Sequence, residues 1–380
     1  MDEKIKYNFI KKINPFFFIL LFVTTIWLSP SIVNSKKCLT LYDLEIPNYR
    51  ELNIVKNELN KGTMKDLNDT MFYYNERYAV IVVGLYKDKL HYQWFTNAAQ
   101  QQYTVLTETY GLNSSKIYVL LTLREEWADV LKINPAIIDY NSTEENISMV
   151  FNYLKTILDD DDLLYIAVIS HGGDTHHLFF ENIKIDFDLW QGIVAHDTYF
   201  GLEDITNDSI NIFKLKNILD MNGNHSTIDN CVFDYELNEY TKEVNARRII
   251  FVLQPCFSGG FVNDLSKENH IIFTASTEAQ LATASFIEYF ADGLNGSAPD
   301  SNYDGRISLG EVYEYTAGLV YQWIHDNPDE YKGRREYPLI DDNGDKIGHR
   351  YHGWFGYNQN KANKDGYTAA RIYNLSYEEI

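Results

Sequence analysis

The sequence predicts an α/β protein of three layers, with a mostly parallel central sheet of about six strands and helices on both faces. From residue 78 onward, short runs of apolar residues alternate with helical patterns. The runs are apolar throughout, which is typical of parallel strands that are buried on both faces. The composition is 45% hydrophobic and 23% charged over 380 residues. These values are average for a globular protein and exclude a multi-span membrane protein.

Strands and helices can be assigned in order along this part of the chain. The predicted strands are Tyr78–Gly84, Lys116–Leu123, Leu163–Ser170, Arg248–Gln254 and His270–Ser276. Helices are predicted near Phe95–Tyr110, from Ser142 to about Leu158, over Ser209–Met221 and over Leu309–His325. Ser142 and Glu145 have the spacing of a capping box that would begin the second helix. The apolar residues of that helix share one face: Ile147, Val150, Phe151 and Leu154.

The first 35 residues have the pattern of an export signal. Four lysines precede an apolar run that continues to Leu28, and no charged residue occurs between Lys12 and Lys36. This pattern predicts a secretory signal peptide over residues 1–35 or, if it is not cleaved, a single N-terminal membrane anchor. We therefore expect an extracellular protein, either secreted or anchored to the outer face of the cell membrane.

The rest of the chain divides into a short N-terminal segment, one large domain and a C-terminal extension. The segment covers residues 36–74 and the domain residues 75–325. Residues 172–247 are too long for a single crossover connection, so we predict an insertion there. Residues 326–380 are rich in Tyr, Asp, Asn and Gly, which predicts an irregular extension.

Charge and cysteine content narrow the possible partners. The formal net charge is −21, and so acidic a surface repels nucleic acid, which excludes a nucleic-acid-binding protein. There are three cysteines, Cys38, Cys231 and Cys256. In an oxidising compartment Cys38 could pair with Cys231, which would leave Cys256 as a free thiol; the sequence leaves this pairing open.

Two reactive side chains come directly after two of the predicted strands. His171 follows the third strand and Cys256 follows the fourth. Because the carboxyl ends of parallel strands meet at one edge of a sheet, we expect the imidazole and the thiol to lie close together. A histidine beside a cysteine promotes formation of the nucleophilic thiolate. The backbone N–H groups of Gly172 and Cys256 could then form an oxyanion hole.

These two motifs resemble those of the caspase/legumain superfamily (clan CD) of cysteine peptidases. They read Ser170-His171-Gly172-Gly173 and Gln254-Pro255-Cys256-Phe257-Ser258-Gly259-Gly260. Within that superfamily the chain is most similar to the legumain (asparaginyl endopeptidase) family and its prokaryotic relatives. The opening strand Ala79–Gly84 and the segment His270–Glu278 add to the resemblance, which covers about residues 75–325.

The resemblance implies a caspase-like fold and a role for each motif residue. His171 would be the general base and acid, Cys256 the nucleophile, and the amides of Gly172 and Cys256 the oxyanion hole. The implied substrate pocket contains Gln254, Ser276 and Glu278. At the position of Gln254 legumains usually carry an acidic residue, so their preference for asparagine before the scissile bond is not carried over.

Three functions are compatible with these features. The first is an exported cysteine endopeptidase that hydrolyses proteins or peptides through a thioester acyl-enzyme. The second is a transpeptidase or transamidase that uses the same fold and nucleophile but resolves the acyl-enzyme with an amine. The third is a non-catalytic, calcium-binding surface module, although such a module would have no need of both His171 and Cys256.

Residues 300–311 have the spacing of an EF-hand calcium loop. The side chains of Asp300, Asn302, Asp304 and Glu311 and the carbonyl of Arg306 are the expected ligands, and Gly305 supplies the sharp turn. We expect a structural Ca²⁺ ion here and no organic cofactor. A second acidic turn, Asp341–Asp345, has alternate carboxylates but lacks the later ligands of such a loop.

Overall fold

The computed structural model describes residues 71–84, 88–174, 198–201, 215–219, 225–228, 231–283, 285–327, 336–350 and 364–379. The predicted export signal over residues 1–35 lies outside these residues, as does most of the predicted segment 36–74. None of the described helices is long and apolar enough to cross a lipid bilayer. All the described residues belong to one compact unit, Leu67–Ile380.

Strands and helices follow one another along the chain in the order that the sequence predicted for its central part. The strands are β1 (Met71–Tyr73), β2 (Arg77–Val83), β3 (Ile117–Leu121), β4 (Leu163–Ile169), β5 (Gly172–Asp174), β6 (Thr198–Gly201), β7 (Leu215–Leu219), β8 (His225–Ile228), β9 (Cys231–Phe233), β10 (Arg248–Leu253), β11 (His270–Thr274), β12 (Leu339–Asp341), β13 (His349–Arg350), β14 (Ile372–Tyr373) and β15 (Tyr377–Glu379). The α-helices are α1 (Lys89–Thr104), α2 (Glu144–Ile157), α3 (Asp234–Thr241), α4 (Phe261–Leu265), α5 (Ser285–Asp292) and α6 (Leu309–Asp326).

Seven strands form the central sheet, in the order β13-β12-β11-β10-β4-β2-β3. The five strands from β11 to β3 are parallel, whereas β12 and β13 join one side of the sheet in antiparallel orientation. The parallel strands are the five that the sequence predicted. The prediction of a mostly parallel α/β sheet is therefore confirmed, with seven strands instead of about six.

The parallel strands are buried on both faces, which explains why their sequences are apolar throughout. In β2, Ala79, Ile81 and Val83 belong to one hydrophobic core, whereas Val80 and Val82 belong to a second. Helices α1, α5 and α6 contribute to the first core, and α2, α3 and α4 to the second. The predicted apolar face of α2 is buried in the second core. The sheet therefore lies between two helical layers.

Two helices begin at residues other than those predicted, because different side chains cap them. Helix α1 starts six residues before Phe95, and the Asp88 carboxylate caps it. The N-cap of α2 is Thr143, whose hydroxyl accepts a hydrogen bond from the amide of Asn146 (3.3 Å). The predicted cap, Ser142, instead donates its amide N–H to the Thr122 hydroxyl after β3 (3.1 Å). The predicted capping box of Ser142 and Glu145 is therefore wrong by one residue.

The predicted insertion, residues 172–247, contains strands in its described part. β5, β6 and β9 form a small antiparallel sheet, and β7 pairs with β8 in antiparallel orientation. The predicted helix Ser209–Met221 is wrong over residues 215–219, which form β7. The pair Asn222-Gly223 between the two strands is typical of a hairpin turn, and this signal competes with the helical pattern.

Residues 326–380 do not form an irregular extension where they are described. β12 and β13 belong to the central sheet, and β14 and β15 form a three-stranded antiparallel sheet with β1. Met71 is paired with Glu379 in this small sheet. The domain therefore extends on both sides of the predicted limits at residues 75 and 325.

A buried carboxylate ties the C-terminal strand to the central sheet. Glu378 in β15 accepts hydrogen bonds from the Nε atoms of Arg247 (2.6 Å) and Arg248 (2.7 Å), at the start of β10. The Tyr74 hydroxyl donates a third hydrogen bond to it (3.2 Å). Because three donors share this carboxylate, the charge of Glu378 is compensated inside the protein.

Candidate active site

The two strands that precede the predicted catalytic residues are neighbours. β4 and β10 run parallel, with Val168 opposite Leu253, and the amide of Gln254 donates a hydrogen bond to the Val168 carbonyl (3.0 Å). The chain leaves both strands at the same edge of the sheet, where His171 and Cys256 follow within three residues. The sheet order therefore brings both chain segments to one place.

The sulfur of Cys256 is surrounded by backbone N–H groups. The amide of Ala282, in the loop after β11, lies 3.3 Å from Sγ. The amides of Cys256 itself and of Gly172 also interact with the sulfur. These last two groups are the predicted oxyanion-hole donors, and they come from the ends of β10 and β4. A negative charge that forms at or beside the sulfur would meet all three donors.

Several groups act on the pKa of this thiol. Burial raises the pKa of the Cys256 thiol, and the Ala282 amide opposes this effect. The carboxyl group of Glu336 raises the pKa further, and the amides of Cys256 and Gly172 lower it. Together these effects raise the pKa of the Cys256 thiol. The surroundings of the sulfur therefore do not produce a thiolate by themselves, and a base is needed to remove the proton.

The backbone after Cys256 is held in an unusual conformation. Phe257 has a φ of 62°, a left-handed conformation that is rare for a bulky residue. Its amide donates a hydrogen bond to the Gln280 carbonyl (2.8 Å). A Cβ atom at Gly259 would lie 2.6 Å from the backbone nitrogen of Glu278, so only glycine fits there. The glycine of this motif therefore allows the loops after β10 and β11 to pack against each other.

The ring of His171 lies against the first turn of α1. Its centroid is 4.7 Å from that of His91 and 5.3 Å from that of Phe95. His91 Nδ1 is 2.7 Å from Asp88 Oδ1, and the same oxygen accepts the amide N–H groups of Leu90 and His91, both at 2.9 Å. The hydrogen bond from the His91 amide is the main reason that the pKa of Asp88 is lowered. The Asp88 cap therefore orients His91 beside His171.

Sequence reasoning did not find His91 or Asp88. It predicted the start of α1 near Phe95, after both residues. An Asp followed three residues later by a His, just before a helical pattern, is the signal that could have identified the pair, since aspartate is a common N-cap.

The three residues predicted for the substrate pocket have different positions. Gln254 is buried, and its Nε2 donates a hydrogen bond to the Thr283 carbonyl (3.3 Å). Ser276 is also buried, and its hydroxyl donates to the Gln280 carbonyl (3.0 Å). Glu278 is exposed. Gln254 and Ser276 thus make hydrogen bonds that hold the loop after β11, which carries the Ala282 amide.

A carboxylate that the sequence did not indicate lies near Cys256. Glu336 is buried, and it accepts a hydrogen bond from the amide of Thr283 (2.9 Å). Burial raises its pKa well above the usual value, while the hydrogen bonds from Thr283 lower it. Glu336 also lines a cavity of about 330 Å³, together with Tyr321, Ile324, His325 and Tyr337. It was missed because about 80 residues of sequence separate it from Cys256.

In the predicted calcium loop, the carboxylates accept hydrogen bonds from the backbone amides of the loop itself. The Asp300 carboxylate accepts the amides of Asp304 (3.1 Å) and Gly305 (2.8 Å), and Gly305 has a φ of 80°. Glu311 accepts the amides of Ser301 (2.7 Å) and Ser308 (2.8 Å). The donor types suit calcium, but the carboxylates of Asp300, Asp304 and Glu311 do not each bring an oxygen within 4.8 Å of the others. The remaining predicted ligands are Asn302, which donates from Nδ2 to Asp304, and the Arg306 carbonyl.

Comparison with known proteins identifies no family. No family model matches the sequence. No curated protein matches it either. Among solved structures, the chain is similar to protein GSU0716 from Geobacter sulfurreducens at 11% identity and a TM-score of 0.37, covering 64% of this chain and 89% of that one. So distant a likeness identifies no chemistry.

Proposed function

We propose that the protein is an exported cysteine endopeptidase similar to the caspase/legumain superfamily, with Cys256 as nucleophile and His171 as general base and acid. The single observation that carries the proposal is the position of Cys256, which follows β10 at the sheet edge where His171 follows the neighbouring β4, with Sγ 3.3 Å from the Ala282 amide. The amides of Gly172 and Cys256, predicted as oxyanion-hole donors, both interact with Sγ. A buried cysteine that only fills space has no need of such donors.

The reaction follows from this arrangement. His171 accepts the thiol proton of Cys256, and the thiolate attacks the carbonyl carbon of the peptide. The carbonyl oxygen becomes negatively charged and accepts hydrogen bonds from the amides of Gly172 and Cys256. The C–N bond then breaks, His171 gives its proton to the leaving amine, and a thioester remains. Water, deprotonated by His171, hydrolyses the thioester and restores the thiol.

Because the pKa of the Cys256 thiol is raised, the proposed reaction needs His171 to remove the thiol proton. If the surrounding amides lowered the thiol pKa on balance, the thiolate would exist before substrate binds. Burial instead keeps the thiol protonated, so proton transfer to the imidazole precedes or accompanies attack. Loss of His171 should therefore reduce activity almost as much as loss of Cys256.

The proposal is tested by incubating the full chain with a diverse peptide library and identifying the products by mass spectrometry. We expect the wild type to cleave peptides and Cys256→Ala and His171→Ala to fall by about 10³-fold or more, as for removal of a catalytic nucleophile or base. Alkylation with iodoacetamide followed by peptide mapping should modify Cys256, with Cys38 and Cys231 as internal comparisons. Unchanged cleavage by Cys256→Ala would refute the proposal.

The same experiment separates the two other functions. A primary amine added to the reaction yields ligated peptides if the acyl-enzyme is resolved by an amine, as in a transpeptidase or transamidase. If the wild type neither cleaves nor ligates any peptide and Cys256 resists alkylation, the fold serves as a non-catalytic binding module.

Calcium and export complete the proposal. The loop 300–311 would bind a structural Ca²⁺ ion through Asp300, Asn302, Asp304, the Arg306 carbonyl and Glu311, and its carboxylates, which do not converge in this structure, would have to move together to do so. The ion would fix the loop at the start of α6, which packs in the first core. Protein or peptide substrates are the proposed partners, outside the cell or at its outer membrane face, and binding of nucleic acid is not expected from so acidic a chain.

A further inference from the structure

Three carboxylates from two separate chain segments meet beside β12. Asp341 ends this strand, Asp345 lies in the turn after it, and Asp365 follows about 20 residues later. Each offers one oxygen, and the three oxygens lie within 4.8 Å of one another. Two oxygens that bind one calcium ion at about 2.4 Å can be no more than about 4.8 Å apart. The three carboxylates are therefore close enough to share one ion.

One oxygen in this cluster lacks a hydrogen bond although it is buried. Asp341 is only 1% exposed, and its Oδ2 makes no hydrogen bond with any described residue. Its Oδ1 accepts the amide of Gly344 (3.1 Å). The Ser266 hydroxyl accepts a hydrogen bond from the Lys346 amide (3.0 Å) and also interacts with the Asp341 carboxylate, but it makes no hydrogen bond to Oδ2. An uncompensated carboxylate oxygen is costly in a protein interior, and a bound cation would compensate it.

A histidine and a further carboxylate lie next to the three facing carboxylates. Asp365 is completely buried, and it contacts His349 Nδ1 through Oδ2 and the amide of Asp342 through Oδ1 (3.2 Å). Asp342, a further buried carboxylate, accepts the amides of Gly366 (2.8 Å) and Ala369 (2.7 Å).

The ligand types select the cation. The three facing groups are carboxylates, which suit hard ions, whereas a zinc site would need nitrogen or sulfur ligands. Asp341 and Asp345 each lie two residues from Asn343, which is the spacing of alternate ligands in the first half of a calcium loop. Gly344, in the same turn, has a φ of 77°. Asp365 supplies the later ligand that the turn itself lacks, and its contact with His349 fixes the orientation of its carboxylate.

We propose that Asp341, Asp345 and Asp365 bind a calcium ion that joins β12 to the C-terminal segment 364–379. This site is separate from the loop 300–311. Backbone carbonyls and water would supply the other oxygens, since calcium takes six to eight. The ion would add to the apolar contacts that Ala369, Ile372 and Leu375 of this segment make in the first core.

The experiment is a calorimetric titration of CaCl₂ into the metal-free full chain that carries Asp300→Asn and Asp304→Asn, which disable the first loop. One calcium ion should still bind. Adding Asp345→Asn, an exposed ligand whose loss leaves the core intact, should weaken binding roughly tenfold or more. Adding Asp160→Asn instead, an exposed carboxylate in the turn before β4, should leave the affinity unchanged.

Two results would overturn the proposal. If the Asp300→Asn, Asp304→Asn chain binds no calcium, the carboxylate cluster is not a calcium site and the loop 300–311 holds the ion. If calcium binds that chain but Asp345→Asn has no more effect than Asp160→Asn, the ion lies elsewhere. Circular dichroism of each variant checks that its fold is kept.

Asp341→Asn, at the buried end of the cluster, should weaken binding in the same way as Asp345→Asn.

Discussion

At Gly259 the loop after β10 touches the backbone of the loop after β11. A Cβ atom there would lie 2.6 Å from the nitrogen of Glu278 and 2.7 Å from two atoms of Thr277. None of these atoms belongs to a flexible side chain, so one of the two loops has to move. Both loops supply N–H groups to Cys256. A methyl group at this position therefore disturbs the site without changing any reactive atom.

We predict that Gly259→Ala lowers the free energy of unfolding by about 1–3 kcal/mol, the usual effect of overpacking, and slows alkylation of Cys256. Gly318→Ala is the matched control. Gly318 lies within α6 with open space at its Cβ position, so alanine there should raise stability by about 0.5–1 kcal/mol. Urea denaturation measures both. A neutral or stabilising Gly259→Ala would contradict the close contact.

The residues of the candidate site differ in how far the sequence reveals them. His171 and Cys256 could be predicted because each follows an apolar strand directly, and the sheet order then brings the strands together. Ala282 contacts Cys256 Sγ only through its backbone, with its amide at 3.3 Å and its carbonyl at 3.7 Å, so its side chain carries no signal. Glu336 lies near Cys256 because β12 joins the sheet beside β11, and nothing in the local sequence indicates that pairing.

Helix α4 and strand β11 are linked by a buried histidine. His270 begins β11, is 2% exposed and contacts the Leu265 carbonyl at the end of α4 through Nδ1. Burial lowers its pKa to about 4, although the contact with Leu265 raises it. In the unfolded chain the same group has a pKa of about 6.5. Between these values the unfolded state binds a proton that the folded state does not.

Stability should therefore fall as the pH decreases from about 6.5 to 4, and His270 should account for at most about 3 kcal/mol of the loss. His270→Asn can still donate to the Leu265 carbonyl but does not titrate. Urea denaturation across this range should show the wild type losing stability relative to His270→Asn as the pH falls. Two curves that stay parallel would show that His270 is protonated equally in both states.

The elements themselves were predictable to different degrees. The parallel strands could be found because burial on both faces makes the whole strand apolar, and a continuous apolar run is an unambiguous pattern. Residues 215–219 were assigned to a helix because their pairing partner, β8, determines their conformation. The start of α2 was assigned one residue early because two adjacent residues, Ser142 and Thr143, can both cap a helix.

On the scale of the whole molecule, Glu378 connects the last strand to the central sheet. Its carboxylate is 3% exposed and is shared by Arg247 and Arg248. Glu378→Gln removes the negative charge while leaving two guanidinium groups in place, which should cost about 3 kcal/mol of unfolding free energy. The neighbouring variant Glu379→Gln, which changes an exposed residue, should change stability by less than about 0.5 kcal/mol. Thermal and urea denaturation compare the two, and equal effects would contradict the linking role of Glu378.

The C-terminal segment could not be predicted from sequence because many of its contacts are with distant parts of the chain. Asp342 binds the amides of Gly366 and Ala369, and the Tyr373 hydroxyl reaches Asp304 (3.3 Å). A polar, tyrosine-rich stretch has no periodicity of its own that would indicate such partners. Its order comes from hydrogen bonds to buried carboxylates and from the burial of Ala369, Ile372 and Leu375 in the first core, and these scattered apolar residues form no pattern that the sequence reveals.

The pairing of Met71 with Glu379 has a practical consequence for engineering. Because the first and last described strands, β1 and β15, are hydrogen-bonded neighbours, a short linker could join them and new termini could be opened in a surface turn. Such a circularly permuted chain should keep the loop around Cys256 intact, so a domain whose ends are relocated in this way could be fused to other proteins on the side that the design requires.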